Sequence, residues 1–189
     1  MSLSLKIIIG STRPGRVGPT VANWVTRAAE RHGGFDVELV DLADVGLPFL
    51  DEAKHPAQRA YEKEHTKAWS KIVDSADALV FVTPEYDFFP PATLVNALQC
   101  LSQEWKYKPA GVVCYGGISG GLRSAQELRQ LIGNLGMVAL PQVVPVPFVG
   151  KAIGPDGAFV PNDPMEEGAE LMLKELTKWA IALLAMRGR

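Results

Sequence analysis

Two stretches of this chain, "ALVFV" at 78–82 and "AGVVCY" at 110–115, are apolar throughout yet only five or six residues long, and "LKIII" at 5–9 is nearly so. Such runs are too short for buried helices and are rich in β-branched residues. They read as strands covered on both faces, which is the condition of a parallel sheet flanked by helices. Helical patterns separate them. At 17–32, Val17, Val21, Trp24, Val25 and Ala28 recur at spacings of three and four, and Gly33-Gly34 ends the segment. Further helices are expected at 61–75, 91–101 (with Pro91 in the first turn), 122–135 and 165–186. An alternating segment at 35–42 reads as an edge strand and 137–146 as a fifth strand, with 43–56 and 147–164 as loops.

Five strands alternating with five helices over residues 1–189 predict a single α/β domain, a three-layer sandwich around a parallel sheet. Right-handed crossovers leave the strand order 2-1-3-4-5 as the simplest topology. In such a sheet ligands lie beyond the C-terminal strand ends where the order reverses, so the loops leaving strands one, three and four are the candidate site.

The first of these loops is "GSTRPGRVG" at 10–18. It opens a helix, whose first N–H groups lack internal partners and carry the positive end of the helix dipole. Ser11 and Thr12 add hydroxyls, Arg13 and Arg16 add guanidinium forks suited to phosphate, and Gly15 and Gly18 permit close approach. A phosphate site and a solvated polar turn are both open readings. The loop lacks the Gly-Lys-Ser/Thr of a nucleotide triphosphatase, and its glycines at 10, 15 and 18 do not match the dinucleotide fingerprint. The second loop, "TPEYDFFPPATLVNALQ" at 83–99, carries Phe88 and Phe89 ahead of two prolines, so these rings either contact a ligand or cap the core. The third, "YGGISGG" at 115–121, has glycines at which backbone can approach a flat ring, or which merely form two tight turns.

Other chemistries find little support. His32, His55 and His65 show no metal-ligand spacing, and Ser119 has neither a G-x-S-x-G elbow nor a histidine base. Cys100 and Cys114 read as small apolar fillers, and two cysteines suit a reducing compartment, with the cytoplasm as the expected location. A net charge of −2 gives no reason to expect nucleic acid or an anionic membrane as partner, and no apolar run reaches a bilayer's thickness. The four tryptophans are expected in cores or interfaces, and Asp51, Glu52, Glu62 and Glu64 in solvent.

Taken as a set, "GSTRPGRVG", "PEYDFFPPATLVNALQ" and "YGGISGG" resemble the NAD(P)H-dependent FMN reductases of the flavodoxin-like class, with their quinone, azo and chromate reductase relatives. The resemblance runs from the first strand to about Gly136. It implies FMN as cofactor, NADPH or NADH as co-substrate, no metal, and a small-molecule electron acceptor. It implies phosphate contacts from Ser11, Arg13, Arg16 and the N–H groups near Val17 and Gly18. It places the flavin ring against Pro84, Glu85, Tyr86, Asp87 and Phe88, with Tyr115, Gly116, Gly117, Ser119 and Gly120 at its edge. No side chain is expected to act as a catalytic acid or base. A homodimer or homotetramer, with the interface completing the pocket, is implied too. Where the family usually has Asn-Gly after Pro-Glu-Tyr, this chain has Asp87-Phe88; Phe88 is expected to reshape the acceptor pocket and Asp87 to disfavour a reduced, anionic flavin. Two other readings stay open from the residues: an electron-carrying flavoprotein without nicotinamide activity, and a flavin-free binding protein of the same descent.

Overall fold

The computed structural model describes residues 2–188. Five parallel strands, β1 (Leu3–Ile9), β2 (Phe35–Asp41), β3 (Ala78–Pro84), β4 (Pro109–Tyr115) and β5 (Val138–Val146), form one sheet in the order β2-β1-β3-β4-β5. This is the flavodoxin-like arrangement expected from the sequence. The strand period of two divides the core cleanly. Leu5, Ile7, Val80, Val82 and Val113 point to the face covered by α1 (Gly18–His32) and α6 (Asp163–Leu183). Ile8, Leu79, Phe81, Val112 and Cys114 point to the other face. There they meet α3 (Glu64–Asp74), α4 (Ala92–Gln99) and α5 (Leu122–Asn134). Trp24 fills the first layer, and Trp69 and Trp105 the second, with ring centroids 6.0 Å apart. Trp179 is 41% exposed on α6. Cys100 and Cys114 are buried, and burial pushes their thiols up to about 11 and about 12.

Several boundaries differ from the sequence pattern for local reasons. The helix expected from 61 starts at Glu64, because the Glu52 carboxylate accepts the N–H groups of Glu62 (2.9 Å) and Lys63 (3.0 Å) and holds that stretch extended. Glu52 is therefore a half-buried latch, not the solvated acid its composition suggested. The expected loop at 43–56 contains a short helix, α2 (Leu42–Val45), whose Ala43 N–H donates to the Asp41 cap, and Pro56 opens a 3₁₀ turn. Helix α6 begins at Asp163, where Asn162 Oδ1 accepts the Met165 N–H, and ends at Leu183. No helix among the described residues is long and apolar enough to cross a membrane.

At the pole of the sheet opposite the candidate site, the buried Glu104 carboxylate gathers Ser70 Oγ (2.7 Å), Tyr61 Oη (3.1 Å) and Arg59 Nε (3.1 Å). It joins the 55–63 loop to α3. Glu104→Ala strands the buried Ser70 hydroxyl and the half-buried Tyr61 hydroxyl, so unfolding in urea is expected to lose about 2 kcal/mol. The thermal midpoint should fall by about 4–8 °C; a change indistinguishable from zero would refute the hub.

Candidate functional site

Ile9 ends β1 beside Asp41 at the end of β2, and α1 begins eight residues after Gly10 with Val17 in the capping position. No side chain caps that helix and no acid occupies its first turn. A fifteen-residue helix thus aims bare N–H donors and its positive pole at the crevice. What shapes the loop ahead of it is an ion pair. Arg16 sends Nη1 and Nη2 to Asp41 Oδ1 and Oδ2, both at 2.7 Å, and Nη1 also donates to the Ser11 carbonyl. Both side chains are largely buried, at 17% and 15% exposure, and the bond to Asp41 raises the Arg16 pKa.

Beneath the loop, the Ser11 hydroxyl is fully buried and shares a hydrogen bond with Tyr115 Oη at 3.1 Å. Gly18 lies against both: a Cβ there would sit 2.5 Å from Ser11 Oγ and 2.9 Å from Tyr115 Oη. Burial pushes the Tyr115 phenol up to about 12. The Thr93 hydroxyl of α4 donates to the Gly10 carbonyl at 2.7 Å. Arg13 remains exposed at the mouth, its Cζ 5.6 Å from the centre of the Tyr86 ring.

Beyond β3, Tyr86 and Phe89 exchange two backbone hydrogen bonds of 2.9 Å, closing a two-residue hairpin over Asp87 and Phe88. Both central residues have positive φ, +47° and +77°, as a type I′ turn demands. Asn-Gly suits that turn; a phenylalanine at +77° is strained. Phe88 stacks under Arg123, with Cζ 4.0 Å from the ring centre. Arg123 belongs to the first turn of α5, and Glu85 holds it there. The Glu85 carboxylate accepts Arg123 N–H (3.1 Å), Arg123 Nη1 (3.3 Å) and Ser119 Oγ (2.8 Å). Glu85 and Ser119 therefore face each other and tie the β3 loop to the β4 loop.

Within that second loop, Gly121 (φ +88°) would place a Cβ 2.5 Å from the Tyr115 nitrogen, so the turn requires glycine there. Around Gly117 the space is open for 4 Å. The Gly116 and Gly117 carbonyls accept N–H groups of Val149 and Phe148, which brings the segment after β5 to the same edge.

The resulting cleft, about 230 Å³, is lined by Arg13, Arg16, Val17, Pro84, Tyr86 and Tyr115, with Gly116 and Gly150 at its sides. Its rim carries Phe88, Phe89, Ile118 and Phe148, each between 47% and 78% exposed. The loops that the sequence singled out thus meet at one edge. Asp41 and the segment Phe148–Gly150 were not anticipated, although an aromatic and a glycine within four residues of the last strand's end were a usable signal.

Fold, bare helix terminus and cationic mouth together define a flavodoxin-like protein with an electropositive crevice at the C-terminal ends of its strands. The family model of the NADPH-dependent FMN reductases matches residues 4–151, and the chain belongs to that family of oxidoreductases. It is 44% identical over 137 residues to an NAD(P)H-dependent FMN reductase of Schizosaccharomyces pombe, covering 71% of this chain and 68% of the relative. With another of the same name, from Saccharomyces cerevisiae, identity is 38% over 146 residues, covering 71% and 76%. The flavoenzyme NAD(P)H:(acceptor) oxidoreductase FerB of Paracoccus denitrificans has a similar fold, with a TM-score of 0.75 over 95% of this chain and 98% of that one, at 20% identity.

The burial of Tyr115 carries a pH signature. Unfolded tyrosine ionises near pH 10, whereas Tyr115 in the fold holds its proton to about 12. Between those values the unfolded chain binds fewer protons, so stability falls as pH rises. In Tyr115→Phe, urea unfolding at pH 8, 10 and 11 should show a shallower fall than wild type; parallel curves would contradict the assignment.

Proposed function

We propose that this protein oxidises NADPH or NADH through bound FMN and delivers the electrons to a small organic acceptor such as a quinone, a free flavin or an azo compound. The reading rests chiefly on the uncapped start of α1, a ready anion site that Arg16 and Asp41 hold open at the crevice. The residues present fit FMN. The backbone N–H groups of Val17, Gly18 and Thr20 (Pro19 has none) and the exposed Arg13 supply donors to a phosphate dianion. Ser11 and Arg16, expected from the sequence to touch that phosphate, take different roles in this reading. The buried Ser11 hydroxyl is turned to Tyr115 and the Arg16 fork is matched by Asp41, so both shape the loop.

A cleft of about 230 Å³ is smaller than the ~300–1,000 Å³ usual for ligand pockets. It suits the phosphate end, and the flavin ring would spread over the open rim between the Tyr86–Phe89 turn and Gly116–Gly117. Glu85 sets the spacing between those two loops. When bound, FMN supplies the two-electron chemistry, and the chain contributes orientation, stacking space and exclusion of water. Nicotinamide and acceptor use the same edge in turn, which makes the kinetics ping-pong. The exposed apolar residues Phe89, Ile118 and Phe148 on the rim favour a homodimer or homotetramer in which a second copy packs beside the site and leaves Phe88 facing it. Reduced, buried thiols agree with a cytoplasmic setting.

Freshly purified protein titrated anaerobically with NADPH and then NADH tests the whole scheme. Bleaching of a flavin band and parallel double-reciprocal lines are expected; a protein that rejects added FMN would overturn it. Losing one charge-assisted contact weakens binding by about 1.5–3 kcal/mol. Arg13→Ala should therefore raise the FMN dissociation constant at least about tenfold in a fluorescence titration. Gly18→Ala, whose Cβ collides with Ser11 and Tyr115, should raise it further.

A further inference from the structure

The Asp87-Phe88 turn poses a question that flavin binding alone does not answer. A bulky side chain occupies a backbone angle that favours glycine, at +77°, and does so on an exposed lip of the site. Left-handed strain of this kind persists only where surrounding contacts hold it. Here the contacts are visible. Arg123 lies 4.0 Å over one face of the Phe88 ring, and the Glu85 carboxylate fixes Arg123 through both its backbone N–H and its guanidinium. Glu85 is anchored in turn by Ser119. A strained aromatic is thus pinned by a three-residue brace running between the β3 and β4 loops. Phe88 as a whole remains 56% exposed, with one face of its ring under the Arg123 cation and the other side of the residue open to a ligand.

We infer that Phe88, positioned by the Glu85–Arg123 brace, selects the electron acceptor, favouring compact flat aromatics of the quinone type over free flavin. Three features lead there. The ring occupies space at this lip that glycine would leave open, which narrows the room beside bound FMN for a second tricycle bearing a ribityl chain. Its open face offers a planar partner an offset or edge-on contact. The guanidinium holds the ring in one orientation, so the wall is stiff, and a stiff wall discriminates by shape better than a mobile one. Phe88 is a specificity-determining residue, and Arg123 acts through it as a positioning residue.

This inference rests on the FMN-reductase reading above, and stopped-flow measurement of the two half-reactions separates them. Enzyme loaded with FMN is first reduced by NADPH under argon. It is then mixed with 1,4-naphthoquinone, which takes up two electrons and two protons to become the hydroquinone, or with riboflavin, which becomes dihydroriboflavin. Phe88→Gly should lower the ratio of the two second-order reoxidation constants (quinone over riboflavin) about tenfold, and Arg123→Gln about threefold. Arg123→Lys, which keeps a cation available over the ring, should recover part of the ratio. Equal ratios in wild type and Phe88→Gly, with NADPH reduction intact, would overturn the inference and leave the FMN reading standing. Absence of flavin reduction in wild type would overturn both.

Discussion

Arg16 and Asp41 meet because parallel pairing of β1 with β2 sets Ile9 beside Asp41, and the rest of the candidate site is arranged around that contact. The pair is mostly buried, bidentate, and bonded also to the loop backbone through the Ser11 carbonyl. It fixes where the chain leaves the sheet and hence where α1 points. A helix terminus without a cap is unfavourable if nothing else satisfies its N–H groups. Left bare here and held still at a strand-end crevice, it is the feature on which the proposed phosphate site rests. The buried Ser11–Tyr115 bond below and Thr93 beside it complete a cradle built from the chain's own hydrogen bonds.

The second half of the site has a similar construction. Glu85 could have served as a ligand group, but three donors already claim its carboxylate, and its effect is to lock two loops together. Both halves therefore use charged side chains to position backbone and neighbouring rings. For a flavin-dependent reaction this is a reasonable division. Hydride passage between stacked rings is governed by distance and orientation, and rigid loops supply both.

Much of this was legible in the sequence. The β-branched and continuous runs specify buried strands, their alternation with amphipathic segments specifies a parallel sheet, and topology then brings three loops to one edge. Less legible was which atom of each residue does the work. Arg16 in a glycine-rich loop reads as a phosphate ligand, and only the pairing of two strand ends reveals Asp41 as its partner. Ser11 offers a hydroxyl in either direction; packing beneath Gly18 turns it inward. The hairpin at Tyr86–Phe89 was hidden because Asp-Phe lacks the Asn-Gly signal of its turn type. Glu52 looked solvated for a similar reason: its acceptors' donors, the N–H groups of Glu62 and Lys63, are ten and eleven residues away across a loop.

Calorimetric comparison of FMN with riboflavin binding to the apoprotein bears most directly on the central idea, since the two ligands differ only by the phosphate. If the start of α1 and Arg13 provide the anchor, FMN should bind at least about a hundredfold more tightly, an increment of about 2.7 kcal/mol. That advantage should shrink as salt is raised. Equal affinity for the two flavins would mean that the helix terminus holds no phosphate, and the account built on it would fail.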